Sequence, residues 1–225
     1  MPDRDERFSY MLGLISAGGT SALRVLDLAC GPGSLTTRVR AAYPDAVVVA
    51  VDLDPVLLAI YRGLHPEVTV VDIDLRDPSW VSSLPTREFD VAMTATALHW
   101  LAPTAVERVY RDLAALLVDG GLFVNADHVP LADSVVLVDR CDRILNLERA
   151  NLPSQRHDWP TWWAAVSADP VLGPLVDERR RRFADRGDDF TPSEEWHLTA
   201  LANAGFTERS IVWRRGSDAV LAALR

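Results

Sequence analysis

The sequence predicts an α/β protein with a doubly wound, mostly parallel seven-stranded sheet, a C-terminal antiparallel hairpin and a helical cap insertion. Three observations predict it. Short apolar runs alternate with stretches of helical periodicity from Leu23 to Ala126, the pattern of β-α units built on a parallel sheet. Runs such as Val47 to Val51 are continuous rather than alternating, as in strands covered on both faces. The pattern then changes to about sixty helical, aromatic-rich residues, followed by a helix and two strand-like runs.

Taken in order, Leu23 to Leu28 reads as a strand that runs into Ala29-Cys30-Gly31-Pro32-Gly33, and Leu35, Val39 and Tyr43 recur at helical spacing. Val47 to Val51 is the second strand. Asp54-Pro55 supplies an N-cap and a first helical residue for a helix through Leu64. Val68 to Val71 is the third strand, with a short irregular helix around Ser79 to Ser83, and Phe89 to Thr94 is the fourth. Val106, Val109, Tyr110, Leu113, Leu116 and Leu117 mark a helix that stops at the turn Asp119-Gly120-Gly121, before a fifth strand, Leu122 to Ala126. After the insertion, Ser193 to Ala204 is helical and stops at Gly205. Phe206 to Trp213 and Ala219 to Leu224 then form the closing hairpin.

A chain of 225 residues, 48% of them hydrophobic, fits one domain. Within 1–225 we expect an N-terminal lid (1–22), a ligand-binding half (23–128), a helical cap (129–191) and a last helix with the hairpin (192–225). The cap is too long for a connecting loop. The net charge of −9, from 32 acidic and 23 basic residues, argues against nucleic acid as a partner. The run Arg179 to Arg182 is flanked by Asp177, Glu178, Asp185, Asp188 and Asp189 and reads as a solvated helix face. The N-terminus lacks an apolar signal core and eighteen consecutive apolar residues occur nowhere, so no membrane partner and a cytoplasmic location are expected. Cys30 and Cys141 are too few for a disulfide framework or a zinc site, and no metal is expected. The sequence sets no oligomeric state.

In an open α/β sheet, ligands bind beyond the carboxyl ends of the strands. Those ends carry Ala29 to Gly33, Asp52-Leu53, Asp74-Leu75, Thr94 to Trp100 and Asp127-His128. The Gly31-Pro32-Gly33 turn lets a ligand approach the backbone and opens a helix N-terminus that favours a carboxylate or phosphate. Asp52, nineteen residues after Gly33, offers a carboxylate to two ribose hydroxyls. A dinucleotide fingerprint would want a third Gly or Ala where Thr36 stands, which weakens a nicotinamide-dependent oxidoreductase without excluding it.

The segments D-L-A-C-G-P-G (Asp27 to Gly33), V-D-L-D-P (Val51 to Pro55), F-D-V with A-L-H-W-L (Ala97 to Leu101) and L-V-D-G-G-L-F-V (Leu117 to Val124) resemble the successive motifs of class I S-adenosylmethionine-dependent methyltransferases. The A-L-H-W-L segment and the Trp-rich cap are similar to the bacterial small-molecule branch, including the trans-aconitate carboxyl-methylating enzymes. The resemblance implies S-adenosylmethionine as cofactor, S-adenosylhomocysteine as product and a small-molecule acceptor methylated at O or N, a carboxylate included. It places Asp27, Ala29, Gly31 and Gly33 around the methionine part, Asp52 at the ribose, Leu53 on one adenine face and Asp74 with Leu75 at the adenine edge, where Asp72 and Asp77 are rivals. Thr94 joins this cofactor set. His99 is the candidate catalytic base, and Trp100, His128, Trp159 and Trp162 are candidate acceptor contacts. For a polycarboxylate acceptor, Arg140, Arg143 or Arg156 would face the site as clamps. A protein that binds the cofactor without methylating is the alternative reading.

Overall fold

The computed structural model describes residues 4–18, 23–131, 135–150, 159–185 and 190–225. Among them, β1 (Arg24–Leu28), β2 (Val47–Asp52), β3 (Thr69–Asp72), β4 (Phe89–Ala95), β5 (Leu117–His128), β6 (Glu208–Arg215) and β7 (Asp218–Leu224) form one sheet in the order β3-β2-β1-β4-β5-β7-β6. The first five strands pair in parallel, and β7 lies antiparallel between β5 and β6. The order reverses between β1 and β4, which opens a crevice over their carboxyl ends.

Helices α1 (Arg4–Ala17), α2 (Ser34–Ala42), α3 (Pro55–Leu64), α4 (Pro103–Leu116), α5 (Val135–Ala150), α6 (Trp159–Ala168), α7 (Gly173–Arg182) and α8 (Glu194–Ala204) cover the sheet or its upper edge. Strand alternation divides the core in two. Leu26, Leu28, Val49, Val51, Ala92 and Phe123 pack with Val109, Tyr110 and Leu113 of α4 and Leu201 of α8. Val25, Val48, Val91, Met93 and Val124 pack on the other side with Phe8 and Met11 of α1 and Leu35 and Val39 of α2. Both faces are therefore apolar, which is why the strands read as unbroken hydrophobic runs. Asp54 caps α3 by accepting from the amides of Val56 (3.0 Å) and Leu57 (3.3 Å), with Pro55 as the first helical residue.

Three local expectations differ from the structure. The stretch Asp119-Gly120-Gly121 lies inside β5 rather than ending α4 in a turn. It bends there, with Gly120 at φ 76° and a register shift against β4, and is held from the far end of the chain, Gly120 N–H donating to the Arg225 carbonyl and Arg225 N–H to that of Gly121, both at 3.0 Å. The Arg run is solvated only in part. Arg180 and Arg181 pair outward with Asp177 and Glu178, whereas Arg179 and Arg182 turn inward to Asp54 and Asp72. The insertion also lies in two places. Asp142 of α5 docks on the β6–β7 turn, accepting from Ser217 N (2.9 Å) and Oγ (2.5 Å), while α6 and α7 pack on α3. Residues 1–3 and 19–22 of the N-terminal segment, and 132–134, 151–158 and 186–189 of the insertion, lie outside the described residues, and Arg156 is among them.

Candidate functional site

The turn after β1 is shaped by left-handed backbone at Ala29 (φ 49°), Gly31 (φ 54°) and Gly33 (φ 91°). The two glycines serve different ends. A Cβ at Gly31 would have Leu57 as its nearest neighbour at 3.9 Å, an ordinary contact, so the backbone there is not crowded. A Cβ at Gly33 would meet the His65 ring at 2.9 Å and the Tyr61 ring at 3.0 Å, so close packing of α3 demands that glycine.

Beneath the turn, Asp27 is buried. Thr36 Oγ1 donates to its Oδ2 at 2.7 Å and Tyr61 Oη donates to Thr36 Oγ1 at 2.8 Å, while Asp27 Oδ1 is buried without a partner. Burial pushes the Asp27 carboxyl up to about 7, against the Thr36 side-chain and backbone hydrogen bonds and with the like charge of Asp52 adding to the shift. Thr36, the departure from a dinucleotide fingerprint, is thus the residue that tethers Asp27.

Asp52, at the end of β2, joins the turn to α3. Its Oδ2 accepts from Gly31 N–H at 2.7 Å and its Oδ1 from Asp54 N–H at 2.8 Å. Burial raises this carboxyl too, opposed by those amides. Leu53 is partly exposed and its carbonyl accepts from Arg182 Nη1 at 3.0 Å. At the end of β3, both oxygens of Asp74 are held by Arg76, through the amide and Nε at 2.8 Å each. The rival Asp72 pairs with Arg182, and Asp77 bonds Ser79. The Leu75 side chain packs in the core and its carbonyl accepts from Arg108.

At the ends of β4 and β5, Thr94 and Asn125 are register partners, fully buried, and the Thr94 hydroxyl and both Asn125 amide atoms lack hydrogen-bond partners. One step further out, His99 Nδ1 lies 2.7 Å from Asp127 Oδ1, which also accepts from His128 N–H at 2.9 Å. The Asp127 side chain is 3% exposed and His99 19%, and the Trp100 ring sits 4.6 Å from the His99 ring. Sequence reasoning placed both Asp127 and His128 at this strand end but took only His128 as a candidate contact. Strand alternation was the available signal, since it turns Asp127 toward the Asn125 face and His128 to the opposite one. There His128 lies 3.7 Å from Asp218, whose carboxylate raises its pKa.

The structure does not bring the cap tryptophans to His99. Trp162 and Trp163 pack with Val166, Val176, Val56 and Ile60, anchoring α6 and α7 to α3, and Trp159 stacks on Trp162 at 5.3 Å with its outer face exposed. Arg140 and Arg143 are exposed on α5. Among the described residues no cluster of His, Cys, Asp or Glu could hold a metal ion. A groove of about 1000 Å³ opens at the amino ends of the strands, lined by Leu14, Val91, Gly120 and Val212, away from all these groups.

Residues 25–121 match a family model described as a methyltransferase domain. A trans-aconitate 2-methyltransferase of Methylobacterium radiotolerans is 28% identical over 169 residues, 75% of this chain and 56% of that protein. Another, of Mycobacterium ulcerans, is 34% identical over 98 residues, 43% of this chain and 35% of that protein. The chain thus spans about a third to a half of the length of these curated relatives. Magnesium protoporphyrin IX methyltransferase of Synechocystis with bound S-adenosylhomocysteine superposes with a TM-score of 0.58 at 16% identity, covering 98% of this chain and 82% of that one. Human N-acetylserotonin methyltransferase in complex with S-adenosylmethionine gives 0.56 at 16% identity, covering 98% of this chain and 56% of that one. At such identities the likeness is one of fold.

Proposed function

We propose that the chain is a class I S-adenosylmethionine-dependent methyltransferase that transfers a methyl group to an oxygen or nitrogen of a small molecule. The observation that carries the reading is the convergence, at the carboxyl ends of β1, β2, β4 and β5, of the Gly31 turn, two buried carboxylates and the His99–Asp127 pair.

The residues present suit this cofactor. Asp27 Oδ1 is a buried acceptor without a partner among the described residues, the Gly31 backbone is not crowded, and each Asp52 oxygen has a lone pair beyond the amide it accepts. In this reading Asp27, Ala29, Gly31 and Gly33 hold the methionine part and Asp52 the ribose. Leu53 covers one adenine face, and Thr94 borders the site. Asp74, whose Oδ1 keeps a lone pair beyond the Arg76 amide it accepts, and Leu75 border the adenine edge.

Bound S-adenosylmethionine supplies an activated methyl group on a sulfonium that is its own leaving group. The chain's task is to align the acceptor and exclude water, and orientation of this kind is worth ~7–11 kcal/mol. Asp127, by accepting from Nδ1–H, leaves His99 Nε2 as the acceptor for a proton from a hydroxyl or amine. Trp100 flanks that proton's path. A carboxylate acceptor would need no base, so the effect of His99→Ala on turnover separates the two acceptor classes. His128, which faces Asp218, and Trp159 and Trp162, which lie on the α3 side, are not among the acceptor contacts of this proposal. No described helix is long and apolar enough to cross a membrane, and a cytoplasmic location without nucleic-acid partners is part of this proposal.

The test is titration calorimetry with S-adenosylmethionine, S-adenosylhomocysteine and NAD in parallel, followed by mass spectrometry on acid, phenol and amine acceptors. Binding of the first two and methylation of one acceptor class is expected. Binding without turnover on any class would favour a non-methylating protein, and binding of NAD alone would overturn the reading.

A further inference from the structure

The two buried carboxylates beside the Gly31 turn are not equivalent. Asp52 has an amide donor on each oxygen, whereas Asp27 has Thr36 for its donor, through hydroxyl and backbone, and its Oδ1 has no partner among the described residues. The groups packed around Asp27 can be taken element by element. α2 contributes Thr36, a neutral donor. α3 contributes the Tyr61 phenol, which reaches Asp27 through Thr36, and the turn contributes the Cys30 thiol; burial raises both of these groups and keeps them neutral. β2 contributes Asp52, a charge of like sign. Arg40 and Arg62 act on Tyr61 and Cys30 rather than on Asp27. An ionised Asp27 would therefore leave a carboxylate oxygen dry and unpaired next to a second acid, an arrangement of high cost.

Resting on the cofactor reading above, we propose that binding of the cofactor is coupled to deprotonation of Asp27: the carboxyl is protonated in the empty protein, and the ammonium group of the methionine part pairs with Oδ1 as the proton leaves to solvent. No bond other than O–H is broken, and the charge of the proton lost is replaced by that of the ammonium. The ligand then brings the cation that the described residues do not place at this oxygen. Affinity rises with pH up to the point where Asp27 is ionised in the empty protein. It declines again at the higher pH where the ligand's own ammonium loses its charge.

The experiment is calorimetric titration with S-adenosylhomocysteine, which carries the same ammonium group, in two buffers of different ionisation enthalpy at pH 6 and pH 8. Release of nearly one proton per ligand at pH 6 is expected, with an affinity that weakens by up to about tenfold per pH unit below 7. Asp27→Asn should bind with the release at pH 6 removed. Thr36→Val takes away the hydroxyl donor that supports the ionised carboxylate and should carry the pH limb upward, which keeps a test in hand if the Asn variant folds poorly by circular dichroism. Proton release that is absent in the wild type, or undiminished in Asp27→Asn, would overturn the coupling while leaving the cofactor reading in place. No binding at either pH would overturn both.

Discussion

At the scale of single residues, the acids beside the turn have structural as well as ligand-binding consequences. Asp52 accepts two buried amides, so Asp52→Ala removes a proposed ribose contact and also strands Gly31 N–H and Asp54 N–H. The expected result is at least a hundredfold loss of S-adenosylmethionine affinity by calorimetry together with a stability loss of about 1–3 kcal/mol in urea unfolding. Unchanged affinity would remove Asp52 from the site. Asp27 has the opposite relation to stability. Its carboxyl sits at about 7 in the folded protein, above its ordinary value of 3.8, so the unfolded chain loses the proton first and stability falls as pH rises from about 4 to 7. Asp27→Asn should then be more stable than the wild type at pH 8, by at most ~4 kcal/mol, with the advantage gone near pH 4. A difference independent of pH would mean that Asp27 is ionised throughout.

At the scale of elements, two joints hold the helices in place. The first ties α4 to α8, where Tyr110 Oη and His197 Nδ1 lie 2.7 Å apart and burial lowers the His197 pKa to about 4. The folded protein keeps this ring neutral, so stability declines as pH falls from about 6.5 toward 4, and replacing His197 by Gln should flatten that decline in unfolding curves taken at pH 7 and pH 5. The second joint ties α7 to the strand ends. Arg179 Nε donates to the buried Asp54 at 2.6 Å while its guanidinium lies 4.3 Å from the Trp163 ring, and Arg182 holds the Leu53 carbonyl. Arg179→Ala leaves Asp54 with its capping amides but without its counter-charge, and a cost of about 1–3 kcal/mol with faster hydrogen exchange in α6 and α7 is expected. Retained protection in those helices would show that the apolar contacts on α3 suffice.

At the scale of the whole molecule, the C-terminal hairpin closes the sheet and ties together parts distant in sequence. β7 pairs with both β5 and β6, and its Leu221 is fully buried among residues of the α4 and α8 side. Leu221→Ala should cost about 2–5 kcal/mol, and loss of signal from α4 and α8 in the same cooperative transition is expected when unfolding is followed by circular dichroism and by tryptophan fluorescence. Separate transitions would mean that the hairpin melts apart from the parallel half.

The sequence by itself determined the parallel β-α units, the Gly turn, the closing hairpin and the acids at the strand ends, because each is written in local periodicity or in a residue type that one backbone conformation demands. The structure decided what depends on partners far along the chain. The Gly120 stretch is strand because Arg225 bonds it, and Arg179 and Arg182 face inward because Asp54 and Asp72 wait there. The cap tryptophans anchor helices because α3 offers an apolar face, and Asp127 meets His99 because two neighbouring strands end at the same level. Local pattern fixes which face a side chain occupies, and only tertiary packing fixes what it meets there.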